Sequence, residues 1–555
     1  MNNGIFVQNL LDKPSSDVGL PRNLPNTNPV ALPYGYSGDD NWRIDKNSIA
    51  LVFDTRYGTD TSVTLQLGSS YSVVVDWGDG NTQSYSGSST INYTYINHGI
   101  YIVQIRGSIP NFGASFTNNN RIKTIKCLNL GNNTTTNTTS LSFAFSNSSN
   151  VGHPNLIEVP ASIPSGVTNL SYCFAGCTAL NSPNLRYWNV QNVNNFTSIF
   201  NGASSFNQPL DTWDTSSATN MSYAFQSTRF NQPINNWNVS SVTSFRGTFN
   251  ASAFNQDISG WNISNATDIA GMFSNYTPFN QSINSWNTSK VTDMNSMFFY
   301  NIVFNQPLNN WDVSKCTNFI NMFNGATSFN GDLSNWRLVA SGTTCASMFN
   351  NASSFTGSGL NTWDTSGVTN MSNMFANQVP LNQNIGSWNT SNVTNMAGMF
   401  YYNSVFNNAG SSSISGWNTT NVTNMSLMFY GSYFNQPIGS WNTSKVTDMS
   451  QMFNTAYYFN QDISNWNLAG LNSAASLNLF MNNKIGIYTY STANYDALLI
   501  GWNNNKLASA NGIANWRTDL SPNFGGAKYT AGGAAATARA ALVTYGWTIT
   551  DGGSI

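Results

Sequence analysis

Residues 230–249 read FNQPINNWNVSSVTSFRGTF, and nearly the same phrase returns at 434–453 as FNQPIGSWNTSKVTDMSQMF. The tryptophan of this phrase recurs at intervals of 24 or 25 residues, apart from 27 before Trp363 and 29 before Trp417. The recurring residues are Trp188, Trp213, Trp237, Trp261, Trp286, Trp311, Trp336, Trp363, Trp388, Trp417, Trp441 and Trp466. A period of this length predicts a repeat architecture, in which each unit buries its apolar side chains against its neighbours.

Each unit has two halves with different apolar spacing. In W-[ND]-[VT]-S, the tryptophan and the β-branched residue lie two apart, which favours one face of a short strand. In V-T-x-M-x-x-M-F, as at 368–375, the apolar spacing favours a short helix or 3₁₀ turn. The sequence therefore predicts a solenoid of leucine-rich-repeat type, with one short strand plus one short helix or 3₁₀ turn in each unit. The tryptophans expected to form its buried ladder are Trp213, Trp237, Trp261, Trp286, Trp311, Trp388 and Trp441.

The tripeptide FNQ adds a further mark to the repeat, since it appears seven times, first at 206–208 and last at 459–461. Stacked units would place these asparagines in a hydrogen-bonded ladder along the turns. The motif MF…A…FNQ.[IL]..W[DN][VT]S.VT[DN]M resembles the BspA-like surface-protein repeats, of the 25-residue mycoplasma-lipoprotein type. The resemblance covers roughly 165–480 and implies a solenoid that serves adhesion, in bacterial surface proteins and in phages. It implies no reaction. The predicted solenoid domain spans 109–485.

The segment before the repeats alternates polar and apolar residues as strands do. It contains VVVDWGDGNTQSY at 73–85 and YTYINHGIYIVQIRG at 93–107. These residues resemble a PKD-type module, which implies an immunoglobulin-like β-sandwich over 47–108. The carboxylates of Asp76 and Asp79 are candidate calcium ligands, but a turn closed by their hydrogen bonds is the favoured interpretation.

Two terminal segments complete the predicted organisation. Residues 1–46 hold five prolines and little periodicity, which is typical of an extended arm. We expect this arm to dock onto other virion proteins or onto a second copy of the chain. Residues 486–555 leave the repeat and contain two helical patterns, so they are expected to form an α/β cap on the open end of the solenoid.

The composition argues against several classes of function. Only 8% of residues are charged and the net charge is −2, so a nucleic-acid partner is not expected. No stretch of 18 apolar residues occurs, so membrane insertion is not expected either. The chain has two histidines, no nucleotide-binding or zinc-protease motif, and five scattered cysteines that are interpreted as small core residues. We therefore expect a protein that is not an enzyme and holds no cofactor or resident metal.

Aromatic residues after the M-F pair vary from unit to unit and are the candidate ligand-binding residues. They are Tyr300, Tyr401, Tyr402, Tyr430, Tyr457 and Tyr458. If they share one edge, their rings suit the apolar faces of sugars, and the alternative is that they pack between coils or against a second subunit.

The function expected from these features is attachment. The amino terminus lacks a secretion signal, as expected of a phage protein released by lysis. The leading hypothesis is a non-catalytic fibre, decoration or receptor-binding subunit on a virion surface, which contacts a host protein or glycan. A bacterial cell-surface adhesin is the alternative, and a glycan-active enzyme is a third class.

Overall fold

A computed structural model describes residues 44–555, apart from 66, 69, 89, 114–118, 133–134, 147–148, 150 and 510–515. The predicted arm, 1–46, therefore lies outside the described residues except for its last three. Asp45 belongs to the folded module that follows, because it pairs with Arg106 at 3.0 Å and its carbonyl accepts from Asn129 Nδ2 at 3.1 Å. The arm boundary predicted at 46 is thus too late.

The amino-terminal module packs a five-stranded sheet and a two-stranded sheet around one core. Its strands are β1 Ile49–Asp54, β2 Ser62–Leu65, β3 Tyr71–Asp76, β4 Thr82–Gly87, β5 Ile91–Thr94, β6 Ile100–Ser108 and β7 Thr124–Leu130. The order β4-β3-β6-β1-β7 is antiparallel throughout, and β2 pairs with β5. Short 3₁₀ helices span Thr55–Tyr57 and Asn119–Lys123. Because β7 pairs with β1, the predicted boundary at 108 is wrong, and the sheet extends to residue 130.

The middle of the chain stacks in coils, and the prediction of a repeat protein is confirmed. One residue per coil, the Asn, Asp or Ser after V-T, forms a parallel bridge to the next coil, as in Asn395 to Asn424 and Asn424 to Asp448. Only β8 Thr343–Thr344 and β9 Val368–Asn370 are long enough to count as strands in the described coils. The prediction of a strand at each tryptophan is therefore wrong, since the pairing lies at the start of the segment expected to be helical.

That segment is a run of separate turns closed by bonds from residue i+3 to residue i, so the prediction of a short helix there is wrong, whereas the 3₁₀-type turn is present as single turns. The residue before the second methionine has a left-handed backbone, for example Asn373 with φ 52° and Gln451 with φ 56°. A left-handed residue interrupts a right-handed helix, so alternate amides turn outward to the next coil. Met371 N donates to Asn395 O at 2.9 Å, while Met374 N closes a turn on Met371 O at 3.2 Å.

The 3₁₀ helices after the amino-terminal module mostly lie elsewhere in the coil, but Ala474–Leu477 takes the place of the V-T-x-M segment in the last coil, since Met449 N donates to Ser476 O at 2.9 Å. They span Pro183–Tyr187, Leu360–Thr362, Asn408–Gly410, Ser412–Gly416, Ala474–Leu477 and Gly486–Tyr488. Three of them end directly before a tryptophan of the repeat, at Trp188, Trp363 and Trp417. The pair before Trp417 accommodates the longest interval between tryptophans.

Columns of aromatic rings fill the interior of the stack. Trp286 and Trp311 stack with centroids 6.3 Å apart, and the same arrangement links Trp213 to Trp237 at 6.0 Å. Trp363, Trp388, Trp417 and Trp441 form a longer stacked series, and all seven predicted ladder residues, including Trp261, are buried. Two further columns, which contact each other, consist of the phenylalanines of the M-F pairs and the phenylalanines of the FNQ motifs. The five cysteines are buried and unpaired.

The FNQ asparagines form their ladder through the backbone. Asn231 Oδ1 accepts from Asn255 N at 2.9 Å, and Asn255 Oδ1 accepts from Asn280 N at 3.0 Å. The glutamine that follows adds a second donor, since Gln281 Nε2 lies 3.0 Å from Asn255 Oδ1. Each side-chain oxygen therefore fixes the turn of the next coil.

The last coil is covered by helices α1 Thr492–Ser509 and α2 Ala534–Thr544, which contact each other. Tyr495, Leu498, Leu499 and Trp502 of α1 are buried, as their spacing on one helix face requires. Neither helix is long and apolar enough to cross a membrane, and the same holds for every helix in the described part of the chain.

Candidate functional site

A column of left-handed residues runs along one edge of the stack. It occupies the second position after each M-F pair, or after the pair that replaces M-F in a coil, such as C-F at 173–174 and F-M at 480–481, and we call it the edge column. Its members are Gly176, Gly202, Ser227, Ala251, Asn275, Tyr300, Gly325, Asn351, Asn377, Tyr402, Gly431, Thr455 and Asn483, with φ between 50° and 73°. Glycine and asparagine tolerate this backbone, whereas a bulky side chain there costs about 1–3 kcal/mol. Two coils nevertheless place a tyrosine in the column.

The two tyrosines lie against glycines of the next coil. A Cβ atom added to Gly325 would come within 2.7 Å of Tyr300 Cδ1, and one added to Gly431 would come within 2.7 Å of Tyr402 Cδ1. Only glycine leaves room for the ring at this distance. Each ring is therefore held in place by a residue that lies one coil away.

Tyr402 belongs to a cluster with Tyr401 and Tyr430. The ring centroids of Tyr401 and Tyr402 are 4.6 Å apart, and Tyr430 lies 5.0 Å from each. A hydrogen bond with Tyr402, together with burial, raises the pKa of Tyr430 to about 12. The Tyr430 hydroxyl therefore stays protonated and neutral at physiological pH.

The aromatic surface continues toward the carboxy-terminal end of the stack. The ring centroids of Tyr458 and Tyr433 are 4.7 Å apart, and those of Tyr457 and Tyr488 are 5.1 Å apart. Tyr402, Tyr433, Tyr457 and Tyr458 are each between 41% and 47% exposed. We call the surface formed by Tyr401, Tyr402, Tyr430, Tyr433, Tyr457, Tyr458 and Tyr488 the tyrosine edge.

Five of the six predicted ligand residues belong to the tyrosine edge. Tyr300 lies in the edge column four coils before Tyr402. Its ring centroid is 4.6 Å from that of Phe299 and 5.6 Å from that of Tyr276. Tyr276, Tyr433 and Tyr488 were not predicted from the sequence, although Tyr433 lies as far after its M-F pair as Tyr457 does. Their signal would have been the count of tyrosines on one edge, which requires the register of the coils.

A cavity of about 580 Å³ opens beside Tyr402. Its lining residues are Asn377, Gln378, Val379, Pro380, Tyr402, Ser404, Val405 and Gly431. Amides, one hydroxyl, an aromatic ring and aliphatic groups therefore meet around one space. Such a lining offers hydrogen bonds and apolar contacts, but no charge.

The absence of charge extends well beyond the cavity. Between Asp364 and Lys445 the sequence has no Asp, Glu, Lys, Arg or His. This interval contains Tyr401, Tyr402, Tyr430 and the whole lining of the cavity. A ligand bound here would gain nothing from a net charge of its own.

The candidate calcium residues make the hydrogen bonds of a turn. Asp76 Oδ1 accepts from Gly78 N at 3.0 Å, and Asp79 Oδ1 accepts from Asn81 N at 3.0 Å. The second oxygen of Asp79 accepts from the hydroxyl of Tyr93 at 2.6 Å, and the ring of Tyr93 stacks on Trp77. Among the described residues, no group of three or more His, Cys, Asp or Glu side chains is placed to hold a metal ion.

Comparison with known proteins identifies the repeats. Four tandem matches, at 139–261, 246–358, 343–433 and 403–498, fall to a family described as Mycoplasma protein of unknown function, DUF285. No curated protein and no solved structure matches the chain. The matches together extend from 139 to 498, well over half of the 555 residues, and they agree with the expected mycoplasma-type repeat. The chain therefore belongs to this family of repeat proteins of unknown function.

Proposed function

We propose that this chain is a non-catalytic adhesion protein that presents its repeats as a leucine-rich-repeat-type solenoid, with the tyrosine edge as the contact surface. The observation that carries the proposal is the edge itself. Rings from successive coils gather on one side, four of them more than two fifths exposed, within and beside a long uncharged interval. Exposing aromatic surface of this kind to water is unfavourable in free energy, and such exposed surface is characteristic of a binding surface.

Within this proposal, the chain belongs to the surface of a phage particle, as a fibre, decoration or receptor-binding subunit. The resemblance of the repeats to those of phage surface proteins supports that location, and a PKD-like amino-terminal module would carry the stack away from the particle. The family match favours a second candidate, a bacterial cell-surface adhesin, because the family is described for Mycoplasma. Immunogold labelling of purified particles and of intact cells distinguishes the two locations.

The contact surface is tested by replacing Tyr401, Tyr402, Tyr430 and Tyr457 together with serine. Fluorescently labelled full-length protein is applied to a panel of bacterial cells, and the bound fraction is measured. We expect the fourfold variant to lose most of its binding while its Tm stays close to that of the wild type, because these rings are partly exposed.

The matched control replaces two exposed tyrosines away from the edge, Tyr57 and Tyr187, which are 51% and 64% exposed. Their replacement by serine is expected to leave binding unchanged. Undiminished binding by the fourfold variant would reject the tyrosine edge as the contact surface. A large fall in Tm would show instead that the rings stabilise the stack.

A further inference from the structure

The structure contains two copies of one local arrangement on the same edge. The first copy begins with NYTPF at 275–279 and the second with NQVPL at 377–381. The following coils carry FFYNIVFN at 298–305 and FYYNSVFN at 400–407. These are the coils that hold the two edge-column tyrosines.

The backbone is the same at the start of both copies. Asn275 and Tyr276 are both left-handed, with φ 58° and 63°, and Asn377 and Gln378 match them at 60° and 63°. The other described coils have a single left-handed residue at this place. The second left-handed residue turns the chain outward ahead of a proline in each copy. The outward turn forms one wall of the cavity beside Tyr402.

A buried asparagine fixes the opposite wall in both copies. Asn301 Oδ1 accepts from Phe304 N at 3.0 Å, and Asn403 Oδ1 accepts from Phe406 N at 3.1 Å. Both asparagines also donate from Nδ2 to the preceding coil, and both are fully buried. The exposed Val303 and Val405 are thereby held in equivalent positions. Preorganised walls lower the entropic cost of binding a ligand.

The edge-column tyrosine at the centre of each copy also has the same conformation and surroundings in both. Tyr300 and Tyr402 are left-handed at φ 51° and 50°, and each ring lies against a glycine of the next coil at the same distance. Four coils separate the two rings in the edge column. Since hydrogen-bonded chains stack about 4.8 Å apart, the two arrangements are roughly 19 Å apart along the stack.

We propose that these two arrangements are equivalent subsites for one uncharged linear polymer, a neutral glycan, that runs along the edge of the stack. This inference rests on the proposed adhesive function and specifies its ligand. A sugar offers an apolar face to the tyrosine and hydroxyls to the side-chain amides at the start of each copy, which are Asn275 in the first and Asn377 and Gln378 in the second.

The distribution of charged residues favours a neutral glycan over an acidic one. No charged residue lies between Asp364 and Lys445, the interval that holds the second subsite. In the coils of the first subsite, Asp268 and Asp293 are paired with Arg246 at 2.7 and 2.5 Å. Lys290 also belongs to the first of these coils, on the turn after Trp286, where its Nζ donates to Asn265 Oδ1 at 2.7 Å. It is therefore the uncharged interval of the second subsite that offers no counter-charge to an acidic glycan.

Two equal subsites on one rigid stack favour a polymer over a single sugar. Once one subsite is occupied, the second binds at a high effective concentration, which strengthens overall binding by orders of magnitude. A monosaccharide gains nothing from this effect. Chain-length dependence is therefore the signature of the arrangement.

The test uses the full chain and a panel of soluble neutral polysaccharides, namely a glucan, a mannan and a galactan, with alginate as the acidic comparison. Tyr300→Gly, Tyr402→Gly and the double variant are compared with the wild type by calorimetry. The glycine substitutions keep the left-handed backbone, since glycine already occupies this column in other coils. Tyr223→Gly is the control, because Tyr223 is also left-handed and lies against a glycine, Gly247, outside the two subsites.

We expect one neutral polymer to bind the wild type, with an affinity insensitive to NaCl. Each single variant should lose at least about tenfold in affinity for the polymer, and the double variant should lose all measurable binding. The monosaccharide of that polymer should bind at two sites in the wild type and at one in each single variant. Tyr223→Gly should match the wild type.

Undiminished polymer binding by the double variant overturns the twin subsites, as does a preference for alginate. Failure of the wild type to bind any neutral polymer also overturns the inference, whereas the adhesive function fails only if the labelled protein binds no cells. Self-association of the wild type that is lost in the double variant would identify a second copy as the occupant, and it would overturn the glycan assignment.

Discussion

At the scale of the residue, the repeated tryptophan has a polar role as well as an apolar one. Trp286 Nε1 donates to Ile258 O at 3.2 Å, and Trp311 Nε1 donates to Ile283 O at 3.0 Å. The acceptor lies three residues before the tryptophan of the preceding coil, and the same bond occurs at every tryptophan from Trp213 to Trp466. Each indole therefore links two coils and fills their shared core. A phenylalanine would fill the core but could not donate the hydrogen bond that links the coils.

Replacement of Trp286 separates these two roles. Trp286→Ala should cost about 3–5 kcal/mol, because it leaves a cavity in a close-packed column. Trp286→Phe keeps most of the ring but loses the indole bond, so it should cost less than the alanine variant and about 1 kcal/mol or more. Thermal melts measure both, with Tyr187→Ala as the exposed control. A wild-type Tm for Trp286→Ala would contradict the inward placement of the ring.

At the scale of the element, the carboxy-terminal segment reproduces the contacts of one further coil. Tyr490 stacks on Phe459 as the next FNQ phenylalanine would, with centroids 6.4 Å apart. Asn494 Nδ2 donates to Asn460 O at 2.8 Å, where other coils use a glutamine. Trp502 Nε1 donates to Ile463 O at 3.3 Å and so replaces the next ladder tryptophan. The final coil therefore keeps its donors and its apolar cover although no further coil follows.

Removal of these contacts should lower the local stability of the last coil before that of the other coils. Trp502→Ala removes both the ring and the indole donor, so we expect a fall of about 3–5 kcal/mol in stability and faster hydrogen exchange at residues 459–466. Asn504→Ala, on the exposed face of the same helix, serves as the control. Exchange that rises equally in all coils would show that the stack unfolds as one unit, contrary to local capping.

At the scale of the whole molecule, hydrogen bonds run without interruption from the amino-terminal sheet into the coils. Strand β7 pairs with β1 on one side, and on its other side Cys127 N donates to Glu158 O at 2.9 Å. The module and the stack therefore share backbone pairing. At the opposite end, helix α1 lies against the last coil. Docking to a particle or a second copy is accordingly a role that we propose for the arm that precedes Asp45.

Deletion of residues 1–43 tests that role, and it spares Asp45 and its bond to Arg106. The truncated protein should keep the Tm and the cell binding of the full chain, because the sheet and the tyrosine edge are intact. It should lose assembly into particles or oligomers, as measured by light scattering and by co-sedimentation with particles. Normal assembly of the truncated protein would place the docking surface elsewhere.

The sequence by itself determined the repeat register, the inward tryptophans and the turn at Asp76, because each depends on residue types at a fixed spacing. Only the tertiary structure decided the path of each coil. The spacing in V-T-x-M-x-x-M-F suits a helix, but bonds between coils hold one residue of each segment left-handed, and no local pattern reports them. The proposed sites at Tyr300 and Tyr402 could not be found from the sequence for the same reason. Each depends on a glycine 25 or 29 residues away that comes beneath its ring only when the coils stack.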